Sequence, residues 1–448
     1  MTALVLIAIA SLALYASLPA LPIAGMIGAH LVLTGFMLAA WRLIRGASEG
    51  RWRVALAAAV LFRVALVAAP PTLSSDVYRY VWDGRVQAAG HHPYKFPPVD
   101  PMRAEFRDET VYPKIEHPEI PTIHPPLAEM LFAGLAGLGL GVTGFKAAMA
   151  LCDVVAIGAL IALLRALRRP RELALLYAWN PLAVVETAWS GHVEPAGIAL
   201  LLLAIAAVTT GRGARAAAAF GAAIQTKLLP LLLVPGFLRR LKLREVGILA
   251  AVVALVAAPY AIRGPAYGAG VLAYTHRWEH GSIVFPFVLS AYRKLDATTV
   301  LVEAIGRMQA RWGSSDTRAW ALLHRAVGPQ ELARLTVGAL ALGWAAAQSF
   351  RPRIDAAHEA RLGLGGALLL APTLHPWYVL WVLPLAAAAA PMAGGWLLLA
   401  ALVPLQYLER EGDVAWALRL AILVPPLAWM VADSWRSWRR RRAAPDAT

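Results

Sequence analysis

The run Ser74-Ser75-Asp76-Val77-Tyr78-Arg79-Tyr80-Val81-Trp82-Asp83-Gly84-Arg85 is the densest group of chemically capable side chains in this 448-residue chain. It follows an apolar segment directly, so Asp76 sits where a helix would leave a membrane. One reading makes Ser75 or Asp76 a plain N-cap for an interfacial helix carrying Tyr78, Arg79 and Trp82. The concentration of Asp, Arg and aromatic residues favours a site. Further polar groups fall at turns: Gly90-His91-His92-Pro93-Tyr94, Pro121-Thr122-Ile123-His124-Pro125, Glu186 through Ser190-Gly191-His192 to Glu194, and Leu374-His375-Pro376-Trp377-Tyr378. Such residues could ligate a metal. None of these turns holds an HxH or HxxxH pair, however, and adjacent His91 and His92 would point apart. Solvated histidines and an interfacial belt of Trp and Tyr are the plainer reading.

Ionisable residues inside apolar runs are sharper clues, because a charge at bilayer depth costs several kcal/mol. Asp153 lies within 145–164, Arg63 within 54–70, and Lys227 within the Pro-interrupted segment 216–238. Arg63 could snorkel, and Asp153 could be the structural partner of a facing cation. Lys227 is the strongest functional candidate of the three.

The elements that must position these residues are membrane helices. The chain is 59% hydrophobic with a mean hydropathy of +0.59, and a span needs roughly 20 apolar residues. The length therefore holds about a dozen spans. The net charge of +15 lies largely in arginine clusters at 42–53, 165–171, 212–215, 239–244, 351–361 and 436–442. That is the positive-inside bias of short cytoplasmic connections, so no nucleic-acid partner is expected. The single cysteine, Cys152, excludes an intrachain disulfide. The first run, Thr2 to Leu18, lacks a basic n-region and reads as a retained helix.

Threading the basic clusters to one side gives one all-α polytopic membrane domain over 1–448. Loops 71–125 and 263–330 are external, and a basic tail, 435–448, is cytoplasmic. Amphipathic helices are predicted near 284–310 and 317–326. The run 127–140 is short for a span and reads as interfacial or partly inserted. The segment 216–238 has two basic ends and is too short for two crossings; a hairpin of half-length helices fits. Broken helices at membrane depth must line protein or an aqueous cavity, which places Lys227 beside one.

Asp76-Val-Tyr-Arg-Tyr-Val-Trp-Asp-Gly-Arg followed by Gly-x-x-Pro-Tyr at 90–94 resembles the first external loop of bacterial GT-C membrane glycosyltransferases. Within that class it is similar to polyprenyl-phosphate-mannose-dependent mannosyltransferases. Trp179-Asn180-Pro181-Leu182, Glu186, Ser190-Gly191-His192, Lys227-x-x-Pro230 and His375-Pro376-Trp377-Tyr378-Val379-Leu380-Trp381 fit the same group in the same order. The likeness spans about 60–385. Departures are His92 before Pro-Tyr where Asn is expected, His124 where Tyr often precedes Pro-Pro, and Glu194 where Asp commonly follows Gly-His.

The resemblance implies a GT-C-like bundle of about 11–14 transmembrane helices with external juxtamembrane helices, in the bacterial inner membrane. The implied reaction is inverting transfer of a sugar, with mannose favoured, from a polyprenyl-phosphate donor to a lipid, glycan or protein hydroxyl at the periplasmic face. Asp76 is then the implied base. Lys227, Arg277, His375 and Arg79 would meet the donor phosphate and sugar. Tyr78, Trp82, Asp83, Tyr94, His124, Glu186, His192, Glu194, Trp377 and Tyr378 are the wider pocket candidates. No cofactor is required by a carboxylate-activated displacement, although some relatives place a metal beside the acid. The rival class is a polyprenyl-linked lipid flippase or transporter, which broken helices and buried charges also suit.

Overall fold

The computed structural model describes the chain apart from residues 47, 263–267, 295–296, 314–316, 352–353, 390–392, 410–413 and 444–448. The start of the 263–330 loop and the last residues of the 435–448 tail thus lie outside the described residues. Among the described residues there is no strand, only α, 3-10 and one π-helical segment joined by turns. Five helices are long and apolar enough to cross a membrane: Thr2–Ala20, Ile23–Ile44, Val142–Ala166, Leu243–Ala261 and Trp416–Ser437. Exposed Leu6, Leu151, Leu255 and Val431 stand on these helices, a surface that water would penalise and lipid would not. This is an all-α polytopic membrane protein.

Chain reversals alternate between two ends. At one end arginines pair with acids across helix starts: Arg171 with Glu49 at 2.7 Å, Arg169 with Asp355 at 3.2 Å and Arg240 with Glu359 at 2.6 Å. The other end holds the helix Asp76–Ala88 and the turn that carries His192. The 216–238 segment folds back on itself as expected. Gly213–Thr226 rises from the arginine end, Lys227 is extended at φ −153°, and Leu229–Leu233 and Val234–Leu238 return.

Pro126–Gly137 has 12 residues, about 18 Å of helix, too short to cross the hydrocarbon. It packs against Asp76–Ala88 instead. Tyr80 and Phe132 stack at 4.6 Å, and Gly84 is required there, since a Cβ would lie 2.4 Å from Phe132 O. The amphipathic segments at 284–326 appear as Val284–Lys294, Ala297–Trp312 and Thr317–Ala326.

Arg63 does not snorkel. Its Nη2 lies 2.6 Å from Asp153 Oδ2, and both side chains are buried. Arg63 Nη1 donates to Ala59 O and Ala178 O, while Tyr177 and Thr187 hydroxyls donate to Asp153. A buried charge persists when its partner and hydrogen bonds are supplied, and here they join four helical segments. Asp153 is therefore the structural partner of a facing cation.

Candidate active site

Asp76 is the first residue of its helix and does not cap it. Ser75 makes no side-chain cap bond, and the Asp76 N–H donates to Ser74 Oγ at 3.2 Å. A carboxylate in the first turn is favoured by the helix dipole, and its oxygens remain available to the pocket. The segment leading to it is fixed from behind. Lys146 Nζ donates to Leu66 O and Ala69 O. Trp189 Nε1 donates to Pro70 O at 2.7 Å, and His192 Nε2 lies 3.1 Å from Ser74 Oγ.

His192 is the hub. Its Nδ1 is 3.1 Å from Glu186 Oε2, and its Nε2 is 3.6 Å from Asp76 Oδ2. The Tyr407 hydroxyl donates to Glu186 Oε1 at 2.6 Å. Burial alone would lower the His192 pKa, but the hydrogen bond and charge of Glu186, with Asp76 and Glu194, turn the balance upward. Gly191 makes the preceding turn at φ +80°, where a Cβ would also strike Lys146 Cγ at 2.8 Å. The imidazole is held flat by Trp377 at 4.1 Å, Trp377 by His375 at 4.4 Å, and His375 by His280 at 4.7 Å. His276 and His280 have HxxxH spacing, yet His276 turns to Glu331 and His280 to His375. No three metal-ligating side chains converge among the described residues. Asp76 and Glu186 lie on opposite ring nitrogens of His192.

Withdrawal from bulk water raises the Asp76 pKa, against the lowering charges of His192 and Lys227; Glu194 and Glu116 raise it further. Its side chain is still 38% exposed, into a pocket of about 100 Å³ shared with Arg79, Lys227, His375 and Trp377. Lys227 Nζ pairs with the fully buried Glu194 at 2.8 Å and lies 5.8 Å from the Tyr378 ring centre. His375 is pushed well below its ordinary value by burial and by the charges of His280, His192 and Lys227. Burial and these charges favour its uncharged form.

Beside this pocket lies a second space of about 400 Å³, walled by Leu228, Leu229, Val271, Leu368 and Ala371. The two share Ile123, Lys227, Tyr274, Trp278 and Tyr378. A polar chamber containing a carboxylate thus adjoins an apolar groove, with one ammonium group at the joint.

The family profile described as "Alpha-(1->6)-mannopyranosyltransferase, N-terminal domain" matches residues 8–241. The chain belongs to this family. It is a glycosyltransferase of a mannosyl-transferring group. Asp76, Glu186, His192, Glu194 and Lys227 lie within the matched span; His375, Trp377 and Tyr378 lie beyond it. Searches among curated proteins and among solved structures give no match.

Of the residues singled out from the sequence, the pocket brings together Asp76, Arg79, His124, Lys227, His375, Trp377 and Tyr378. Glu186, His192 and Glu194 stand directly behind Asp76 and Lys227. Four others lie away from it. Tyr78 accepts from Lys114, Trp82 packs on Phe106 and Tyr112, Asp83 pairs with Arg79 at 2.9 Å, and the Tyr94 hydroxyl donates to His124 O. Arg277 is at the surface, 3.4 Å from Glu119. Sequence reasoning missed Lys146, Tyr274, Trp278 and Tyr407. Only Lys146 carried a signal, as an ionisable residue opening an apolar run.

Proposed function

We propose that this family member transfers mannose from a polyprenyl-phosphate donor to an acceptor hydroxyl, with inversion, at the periplasmic face of a bacterial inner membrane. The observation that carries the reading is the junction at Lys227. A donor with a long apolar tail, one phosphate and one sugar needs an apolar groove, a cation and a polar chamber in that order.

The chemistry follows from the same arrangement. The acceptor oxygen attacks the anomeric carbon as the carbon–oxygen bond to phosphate breaks. Asp76 takes the hydroxyl proton, which requires a carboxylate within hydrogen-bonding reach. The departing phosphate gains charge beside Lys227, a contact worth about 10²–10³ in rate at such sites. His192, locked between Glu186 and Ser74, holds Asp76 in place and opposes its burial penalty. Arginine clusters at the opposite end of the bundle support a cytoplasmic location for that end.

The test is transfer from radiolabelled polyprenyl-phosphate-mannose by purified protein and by Asp76→Asn, with a membrane lipid extract as acceptor. Transfer by the wild type that collapses in the variant while donor binding persists supports the reading. Binding of the lipid without transfer to any acceptor would point to lipid translocation instead.

A further inference from the structure

His117 lines the Asp76 pocket in the left-handed backbone region that few non-glycine residues adopt. Its φ is +54°; among the described residues only Arg168, at φ +53°, is another non-glycine in that region. Left-handed backbone costs a non-glycine residue about 1–2 kcal/mol, so the surroundings must impose it. They do so from behind the loop. The Ile120 N–H donates to His117 O at 3.1 Å, Arg79 Nη1 donates to Ile120 O at 2.9 Å, and the Val99 N–H donates to Pro118 O at 2.9 Å. Strain retained at a pocket wall is a pointer to function. The His117 ring stands edge-on to Trp278, centroids 4.5 Å apart. Its Nδ1 is 3.5 Å from Glu119, and the side chain is half-exposed.

The pocket has two unlike flanks. One is common to the apolar groove. The other, with Ser75, Arg79, Glu116, His117 and Ile120, is not. We infer that this second flank is the acceptor subsite, that His117 is its principal contact, and that it takes a polyhydroxylated, sugar-like acceptor. The inference rests on the donor's tail occupying the groove. With the phosphate then at Lys227, an inverting displacement brings the nucleophile from the side away from the leaving group. That side holds an imidazole, a carboxylate and a guanidinium, with the Trp278 indole at the boundary shared with the groove. Such a set matches the hydroxyls of a sugar, with the boundary indole beside its apolar ring face.

Glycine adopts φ +54° freely, so His117→Gly removes the ring and keeps the turn. His117→Asn keeps a polar group that tolerates the same backbone. The full chain in detergent is titrated with a mannose disaccharide, without donor, and followed by tryptophan fluorescence. Transfer kinetics are measured on the same preparations with polyprenyl-phosphate-mannose. His117→Gly should weaken disaccharide binding and raise the acceptor KM by about tenfold, the scale of one lost hydrogen bond. The donor KM should stay unchanged, and His117→Asn should fall between. Unchanged disaccharide binding in His117→Gly overturns the subsite whatever happens to transfer, and so does an effect confined to the donor KM. Binding that is lost in His117→Gly, in a wild type that never transfers mannose, would retain the subsite and sink the donor reading.

Discussion

Removing the Lys227 amine separates two tasks of one side chain. In Lys227→Met, Glu194 is left fully buried without its ion partner, which stood 2.8 Å away. At an effective dielectric of about 20 the attraction at that distance is about 6 kcal/mol before desolvation is subtracted. Loss of one partner from a buried pair typically costs about 3–5 kcal/mol; Lys227 is 18% exposed, so the low end applies. Glu194→Gln alone leaves a cation that still reaches the pocket, and the penalty should be smaller. The double variant Lys227→Met/Glu194→Gln removes both charges and should recover most of the lost stability. Its transfer rate should nevertheless stay about 10²–10³ below wild type, because the phosphate has lost its cation. Thermal unfolding in detergent and single-turnover transfer, run on all four proteins, read the two effects separately. If the double variant recovers activity together with stability, Lys227 is a structural partner of Glu194 and the phosphate assignment is wrong.

Asp76→Asn should cut transfer by about 10²–10⁴ with donor affinity retained, as expected for loss of a general base; a smaller fall means another group takes the proton. Because burial raises Asp76 above its ordinary 3.8, the kcat/KM profile of the wild type should show an acid limb centred above that value. An acid raised by folding stabilises in its protonated form. Its contribution is therefore present below 3.8 and fades as pH climbs through the folded value. The melting temperature of wild type relative to Asp76→Asn should fall over that climb, and a pH-independent difference would contradict it. Arg63→Met strands Asp153 in the bundle and should destabilise by about 3–5 kcal/mol, read by thermal unfolding. Gly84→Ala drives a methyl into Phe132 O and should cost about 1–3 kcal/mol, with transfer reduced because the Asp76 helix is displaced; normal melting would show that the two helices can separate.

Much of this architecture is legible in the sequence because membrane constraints are severe. Although the run 172–188 is broken into short helical segments, spanning length and arginine placement together locate most of the long helices. They also predict the fold-back at Lys227, whose prolines and two basic ends leave few options. The partners of the site are less legible. Asp76 announces itself as a charge at a membrane exit and Lys227 as one within a broken apolar segment, but Tyr274, whose hydroxyl meets that of Tyr378 at 2.5 Å, is brought there by helix packing that leaves no local pattern. The same holds for Tyr407, 221 residues from Glu186. Trp82 and Tyr94 read as pocket residues because aromatic residues near a site look alike whether they face the substrate or the core behind it.

The Arg63–Asp153 pair also has a history within each newly made chain. The two residues are 90 positions apart, so at about 5–20 residues per second the arginine is synthesised roughly 5–20 s before its counter-charge. Through that interval the helix Glu49–Val67 must either hold an unmatched guanidinium in the bilayer, at about 2.5–3.5 kcal/mol, or stay partly outside it. That helix is not among the five long apolar ones. Its final seating therefore depends on the arrival of Val142–Ala166, and the segment that delivers Asp76 is set late in biogenesis, by a helix translated after it.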